Sequence, residues 1–203
     1  MDQIDSMANA WMKGNVCLHP TDTLPGLSFN PKSIEARKSL AEIKKRDESK
    51  TCICLVSSLE MAKEFWLPLP GKWGTVLRGI WPAPLSVIWK ASDSCPQELV
   101  RADGSIAFRV PLLSAENTWI LEAIKKVDSP FPTTSVNESG NLPAGDWQQA
   151  KEFLAGKENS WLPSVPFDVP GGAPSTIVLI ESATQFKVVR QGACDIDGLK
   201  EQL

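Results

Sequence analysis

The chain has 203 residues, 42% apolar and 22% charged, with a formal net charge of −3, the profile of a globular protein with room for one well-filled domain. With no Tyr and His19 as the single His, it has no phenolic acid or base, no multi-histidine metal centre and at most one Ser/His or Cys/His partnership. The acidic balance argues against non-specific coating of nucleic acid, five cysteines without a C-x-x-C pair and an acidic start point to reduced thiols in a cytoplasm, and no apolar run approaches the ~18 residues of a membrane helix.

Ile4, Met7, Ala8, Trp11 and Met12 recur at helical spacing, and Gly14 follows where a left-handed cap would sit, so an amphipathic helix opens the chain. Residues 15–18 read as a short strand that stops at His19-Pro20 and feeds a polar loop over residues 21–26. Ser33 caps a second helix with Ala36, Leu40 and Ile43 on its apolar face, running into Lys44-Lys45-Arg46. A strand over residues 52–56 comes next. Pro68 and Pro70 precede a helical stretch from Trp73 to Ile80, and strands are predicted over residues 85–89 and 106–110. Ser114 caps a helix presenting Ile120, Ala123, Ile124 and Val127, residues 131–134 return to a strand, and Asp146 caps a helix that Gly156 stops. Residues 176–180 and 186–189 read as paired strands. Helices and strands interleave with crossovers of irregular length, which predicts α/β architecture: a single domain over residues 1–203 with one core and a twisted mixed β-sheet with flanking helices.

Several clusters can carry chemistry, and each has an ordinary structural reading. No G-x-x-x-x-G-K-[ST] loop or G-x-G-x-x-G turn is present, so a nucleotide would have to be held by side chains. Lys44, Arg46 and Lys50 are the candidate cations; taken alone, such a run complements a helix C-terminus and stays solvated. The stretch Thr133-Thr134-Ser135-Val136-Asn137-Glu138-Ser139-Gly140 is by default a turn rich in Asx and Ser hydrogen bonds, and Pro20-Thr21-Asp22-Thr23 a capping turn. Arg109 lies in a strand and needs an anionic partner if it is buried. Residues 171–176 and 189–192 are Gly-containing loops beside strands.

In chain order, these clusters resemble the YrdC/TsaC family of threonylcarbamoyl-AMP synthases. The resemblance rests on Pro20-Thr21-Asp22-Thr23 with Gly26-Leu27, the K-x-R-x-x-x-K spacing of Lys44, Arg46 and Lys50, Trp81-Pro82-Ala83-Pro84-Leu85, and Ala107-Phe108-Arg109-Val110-Pro111. It continues through Ser135 and Asn137 with Ser139-Gly140, Pro174-Ser175-Thr176 and Arg190-Gln191-Gly192. It covers nearly the whole chain and implies the short, single-domain form of the family, with a central positively charged cavity. The implied activity joins L-threonine, bicarbonate and ATP, the last carrying Mg2+, into threonylcarbamoyl-AMP and pyrophosphate. A downstream transferase complex then modifies tRNA. The implied partners are these small molecules, that complex and a weak contact with RNA, in the cytoplasm and away from membranes.

By the same resemblance, Lys44, Arg46 and Lys50 grip the triphosphate, Ser135 and Asn137 bond the nucleotide side, Arg190 closes over it, and Ser105 adds a contact. Thr23 and Ser175 hold the amine or hydroxyl of threonine, Arg109 its carboxylate, and Thr133 lines the same pocket. No protein ligand to a metal is implied. The pattern departs from the family's at His19 and Pro25, where aromatics are usual, and at Leu55, where His is often seen. His19 is read as a packed strand-end imidazole outside the site. Two rival readings are a non-catalytic RNA- or nucleotide-binding module and a carbamoyl transferase related to hydrogenase maturation proteins.

Overall fold

The computed structural model describes residues 2–47 and 52–203. Asp2 accepts the Ile4 N–H at 3.0 Å and starts helix α1 (Gln3–Met12), which buries Met7 and Trp11 and releases the chain at Gly14, with φ of 88°. The same logic sets α2 (Ile34–Lys44), where Ser33 Oγ accepts the Ala36 N–H at 3.1 Å and Ala36, Leu40 and Ile43 turn inward. It also sets α6 (Trp147–Leu154), capped by Asp146 through Gln149 N–H at 2.8 Å. The remaining helices are α3 (Leu59–Phe65), α4 (Trp73–Ile80), α5 (Trp119–Val127) and α7 (Leu199–Gln202). The strands are β1 (Val16–His19), β2 (Gly26–Ser28), β3 (Ile53–Leu55), β4 (Leu85–Lys90), β5 (Ser105–Arg109), β6 (Phe131–Ser135), β7 (Ser160–Trp161), β8 (Thr176–Ile180) and β9 (Phe186–Arg190).

Among the described residues these strands form one nine-stranded mixed sheet in the order β7-β1-β2-β6-β3-β5-β4-β8-β9. The pairs β1–β7, β3–β5 and β4–β8 are parallel and the rest antiparallel. The predicted single core is instead two. Successive strand residues point to opposite faces, and β1 shows the division: Cys17 joins Met7, Trp11, Ile120, Ile124 and Phe131, whereas Val16 and Leu18 join Leu40, Ile43, Ala150 and Leu154. Both faces of the sheet are thus covered, by α1 and α5 on one side and by α2 and α6 on the other. In the first core, Trp11 stacks on Phe131 at 4.9 Å and Trp66 packs on Phe108 at 5.1 Å, contacts worth about 0.5–1.5 kcal/mol each beyond their buried area.

Short elements escaped the sequence reading. β2 is Gly-Leu-Ser and β7 only Ser-Trp; neither has a period to detect, and each exists because β1 presents an edge to it. α3, capped by Ser58, and the four-residue α7 were also not predicted. The helix expected from Ser114 starts later: Ser114 turns its hydroxyl to the Glu116 side chain, a 3-10 turn spans Ala115–Asn117, and α5 follows.

Candidate active site

The strand ends and their loops enclose a cleft of about 680 Å³, within the ~300–1,000 Å³ usual for small-ligand sites. Lys44, Arg46, Arg101, Arg109 and Arg190 line it, and no Asp or Glu does among the described residues. A chain that is acidic overall has therefore gathered positive charge into one concave surface, where low-dielectric walls strengthen attraction for an anion.

Lys44 and Lys45 show how the end of α2 aims one cation inward. Lys45 takes the left-handed cap with φ of 47°, and its exposed side chain pairs with Glu138 at 2.7 Å. Lys44 is buried instead, donating to the Ser135 carbonyl oxygen and, at 2.9 Å, to Asn137 Oδ1. Ser135 Oγ donates to the same Oδ1 at 2.7 Å, and Asn137 Nδ2 to the Asn141 carbonyl at 2.7 Å. The solvated-helix-end reading fails for Lys44, while the Asx-turn reading of residues 133–140 holds alongside their place in the cleft wall. Arg46 is half-buried, with Nη2 3.2 Å from Cys52 Sγ. Lys50 lies outside the described residues.

Arg109, at the end of β5, is buried against Asp22: Nη2 and Oδ1 are 3.6 Å apart, and Asp22 Oδ2 accepts the Leu112 N–H at 3.0 Å. The pairing is long. Arg109 Nη1 reaches Thr23 Oγ1 only at 3.5 Å and Nε is buried with no hydrogen-bond partner, so the guanidinium is incompletely paired within the protein while it lines the cleft. Thr21 Oγ1 donates to the Leu24 carbonyl at 2.7 Å and accepts the Thr23 N–H at 3.0 Å. Its one proton being committed, the 3.0 Å contact between the two hydroxyls runs from Thr23 to Thr21. Arg190, at the end of β9, donates to the Ser175 carbonyl through Nε at 3.1 Å and Nη2 at 2.8 Å, and to Ser175 Oγ at 3.2 Å. Burial and the nearby Arg109 charge both push the Arg190 pKa down, a strain that an anion between the two would relieve. Gly192 permits this closeness, because a Cβ there would lie 2.1 Å from the Pro174 carbonyl oxygen.

Thr23, Lys44, Arg46, Arg109, Thr133, Ser135, Asn137, Ser175 and Arg190 thus share one cleft. Ser105 does not: its hydroxyl donates to Asp103 Oδ1 at 2.6 Å in the turn before β5, and it does not line the cavity. Arg101 is the cation that motif reading missed. It lines the cleft together with Cys52 and Ile53, and its Nε is buried without a partner; it lies ahead of β5 and no motif surrounds it. Among the described residues no group of three or more His, Cys, Asp and Glu is placed to hold a metal, and no helix is long and apolar enough to cross a membrane.

Behind the cleft, burial lowers the His19 pKa from 6.5 to about 4, a Pro20 backbone hydrogen bond opposing the shift and the Arg109 charge adding to it. As pH falls from about 6.5, the unfolded chain protonates first, so stability declines until the folded value is passed near pH 4. The loss attributable to this group is about 3 kcal/mol. Urea unfolding at pH 7 and pH 4.5 should therefore show a steeper acid loss for the natural chain than for His19→Gln; parallel curves would refute the buried neutral imidazole.

A mixed sheet closing on a basic, hydroxyl-lined cleft is the framework of an α/β enzyme that handles anionic small molecules. The chain belongs to the Sua5/YciO/YrdC family, whose model, described as Telomere recombination, matches residues 9–192. A threonylcarbamoyl-AMP synthase from Marinobacter nauticus is 26% identical over 179 residues, 87% of this chain and 90% of the relative. Among solved structures, P. abyssi Sua5 complexed with L-threonine superposes with TM-score 0.83 at 21% identity over 100% of this chain, which spans 58% of that protein. E. coli YciO gives TM-score 0.77 at 19% identity, covering 97% and 93% of the two chains.

Proposed function

We propose that the protein is an L-threonylcarbamoyladenylate synthase serving tRNA threonylcarbamoyladenosine formation. The observation that carries the reading is the convergence of separate cationic and hydroxyl clusters on one cleft that no carboxylate lines among the described residues. L-Threonine and bicarbonate condense to a carbamate with loss of water. A carbamate oxygen then attacks the α-phosphorus of ATP, forming the new P–O bond as the bond to the departing pyrophosphate breaks. Such a step needs orientation of anions and neutralisation of the leaving group, and no protein nucleophile. A chain with one histidine and no tyrosine is equipped for it.

Lys44, Arg46 and Lys50 hold the triphosphate, with Arg101 as a further cation on the same wall; Ser135 and Asn137 fix the nucleotide, and Arg190 covers it. Arg109 takes the carboxylate of threonine, with Thr23, Thr133 and Ser175 around its polar groups. Among the described residues no carboxylate lines the cleft, and magnesium enters as part of the ATP substrate, held by phosphate and water. A downstream transferase complex, a weak RNA contact and a cytoplasmic setting complete the proposal; the five free cysteines agree with the last.

The test is incubation with ATP, bicarbonate and magnesium, with and without L-threonine, following pyrophosphate and the AMP adduct. Pyrophosphate release that requires both threonine and bicarbonate is expected. Release independent of threonine would mean that ATP is cleaved without an amino-acid carbamate, and RNA binding without turnover would point to a non-catalytic module; either would overturn the assignment.

A further inference from the structure

The one histidine ends β1, fully buried, with both ring nitrogens engaged: Nδ1 is 2.9 Å from the Pro20 carbonyl oxygen and Nε2 is 2.9 Å from Thr133 Oγ1. A carbonyl oxygen only accepts, so Nδ1 carries the proton. In the neutral ring Nε2 is then a bare lone pair, and the Thr133 hydroxyl must donate to it. The arrangement is closed sterically, since a Cβ on Gly26 would lie 2.5 Å from His19 Cε1 and 2.8 Å from Thr133 Oγ1. Thr133 lines the cleft with its only hydroxyl proton committed elsewhere. What it can offer a ligand is lone pairs.

We propose that His19 is a positioning residue that makes Thr133 an acceptor-only group, so that this wall of the cleft selects an N–H donor: the ammonium of the amino-acid substrate and, after condensation, the carbamate N–H. The inference rests on the amino-acid reading of the cleft given above. Thr23, whose proton goes to Thr21, is an acceptor by the same reasoning. A zwitterion then finds complementary partners for both charges, guanidinium for its carboxylate and hydroxyl oxygens for its ammonium.

Because the chain has one histidine, nitrogen-15 NMR at pH 7 reads a single imidazole. A protonated Nδ1 and an unprotonated Nε2 are expected; the opposite tautomer or an imidazolium would overturn the proposal. Calorimetry then compares L-threonine with its deaminated analogue, 3-hydroxybutanoate. His19→Asn, too short to place an acceptor at Thr133, should weaken L-threonine by roughly ten- to a hundredfold, the range for a hydrogen bond to a charged group, and leave 3-hydroxybutanoate unchanged. His19→Gln, whose amide oxygen can replace Nε2, should recover most of the loss. In a Thr133→Val background His19→Asn should add nothing. Equal weakening of both ligands, or none, overturns the positioning role while the functional reading stands. A natural chain that does not bind L-threonine at all overturns the functional reading and the ligand named here together.

Discussion

Arg109→Met should abolish threonine-dependent turnover and destabilise the fold in the same stroke. Arg109 and Asp22 are 4% and 8% exposed, and removing one partner of a buried pair leaves the other charged and unsolvated, at a cost of about 3–5 kcal/mol. The loss of activity has a separate origin. Arg109 holds Asp22 only at 3.6 Å and lines the cleft, where its guanidinium can meet a carboxylate, and removing such a preorganised group typically costs about 2.7–4 kcal/mol of transition-state stabilisation. The double variant Arg109→Met/Asp22→Leu separates the two effects. Urea unfolding should show most of the stability restored, while pyrophosphate release stays hundreds-fold down. Recovery of both together would mean that Arg109 serves only the fold.

The second large effect is on the phosphate side, where neighbouring cations should behave differently. Arg46 is half-buried and, among the described residues, its side chain hydrogen-bonds the weak acceptor Cys52 Sγ, so Arg46→Ala should cut turnover by roughly a hundredfold or more with little change in the unfolding midpoint. Lys44 also ties α2 to the loop after β6 through Ser135 and Asn137. Lys44→Met should lose turnover to a similar extent and in addition lower stability by about 1.5–3 kcal/mol, because those acceptors lose a charged donor. Turnover within threefold of the natural chain in Arg46→Ala would remove it from the triphosphate site.

Much of this architecture is legible locally. Ser33 with Ala36, Leu40 and Ile43, and Asp146 before residues 147–154, announce helices because a cap and a 3.6-residue period are properties of the segment itself. β2 and β7 are not legible, because three and two residues carry no period and depend on the edges of β1. The site divides the same way. The motifs delimit which loops matter and the K-x-R-x-x-x-K spacing singles out Lys44 over Lys45, but the physical reason is tertiary: the left-handed turn at Lys45 sends its side chain outward and leaves Lys44 against Asn137. Ser105 and Arg101 show the same limit: the turn through Asp103 draws the serine hydroxyl away from the cleft, and Arg101, which no motif marks, lines it.

Composition alone excluded phenol chemistry and a multi-histidine centre, since the chain has a single imidazole and no phenol, and the sequence motifs narrowed the candidate site to cations, hydroxyls and an amide. What only the tertiary structure decided is how those groups are charged and which way their protons point. Arg109 meets Asp22, and His19 meets Thr133, across long stretches of chain. Desolvation and hydrogen-bond direction are set by such distant neighbours, and no local pattern in the sequence records them.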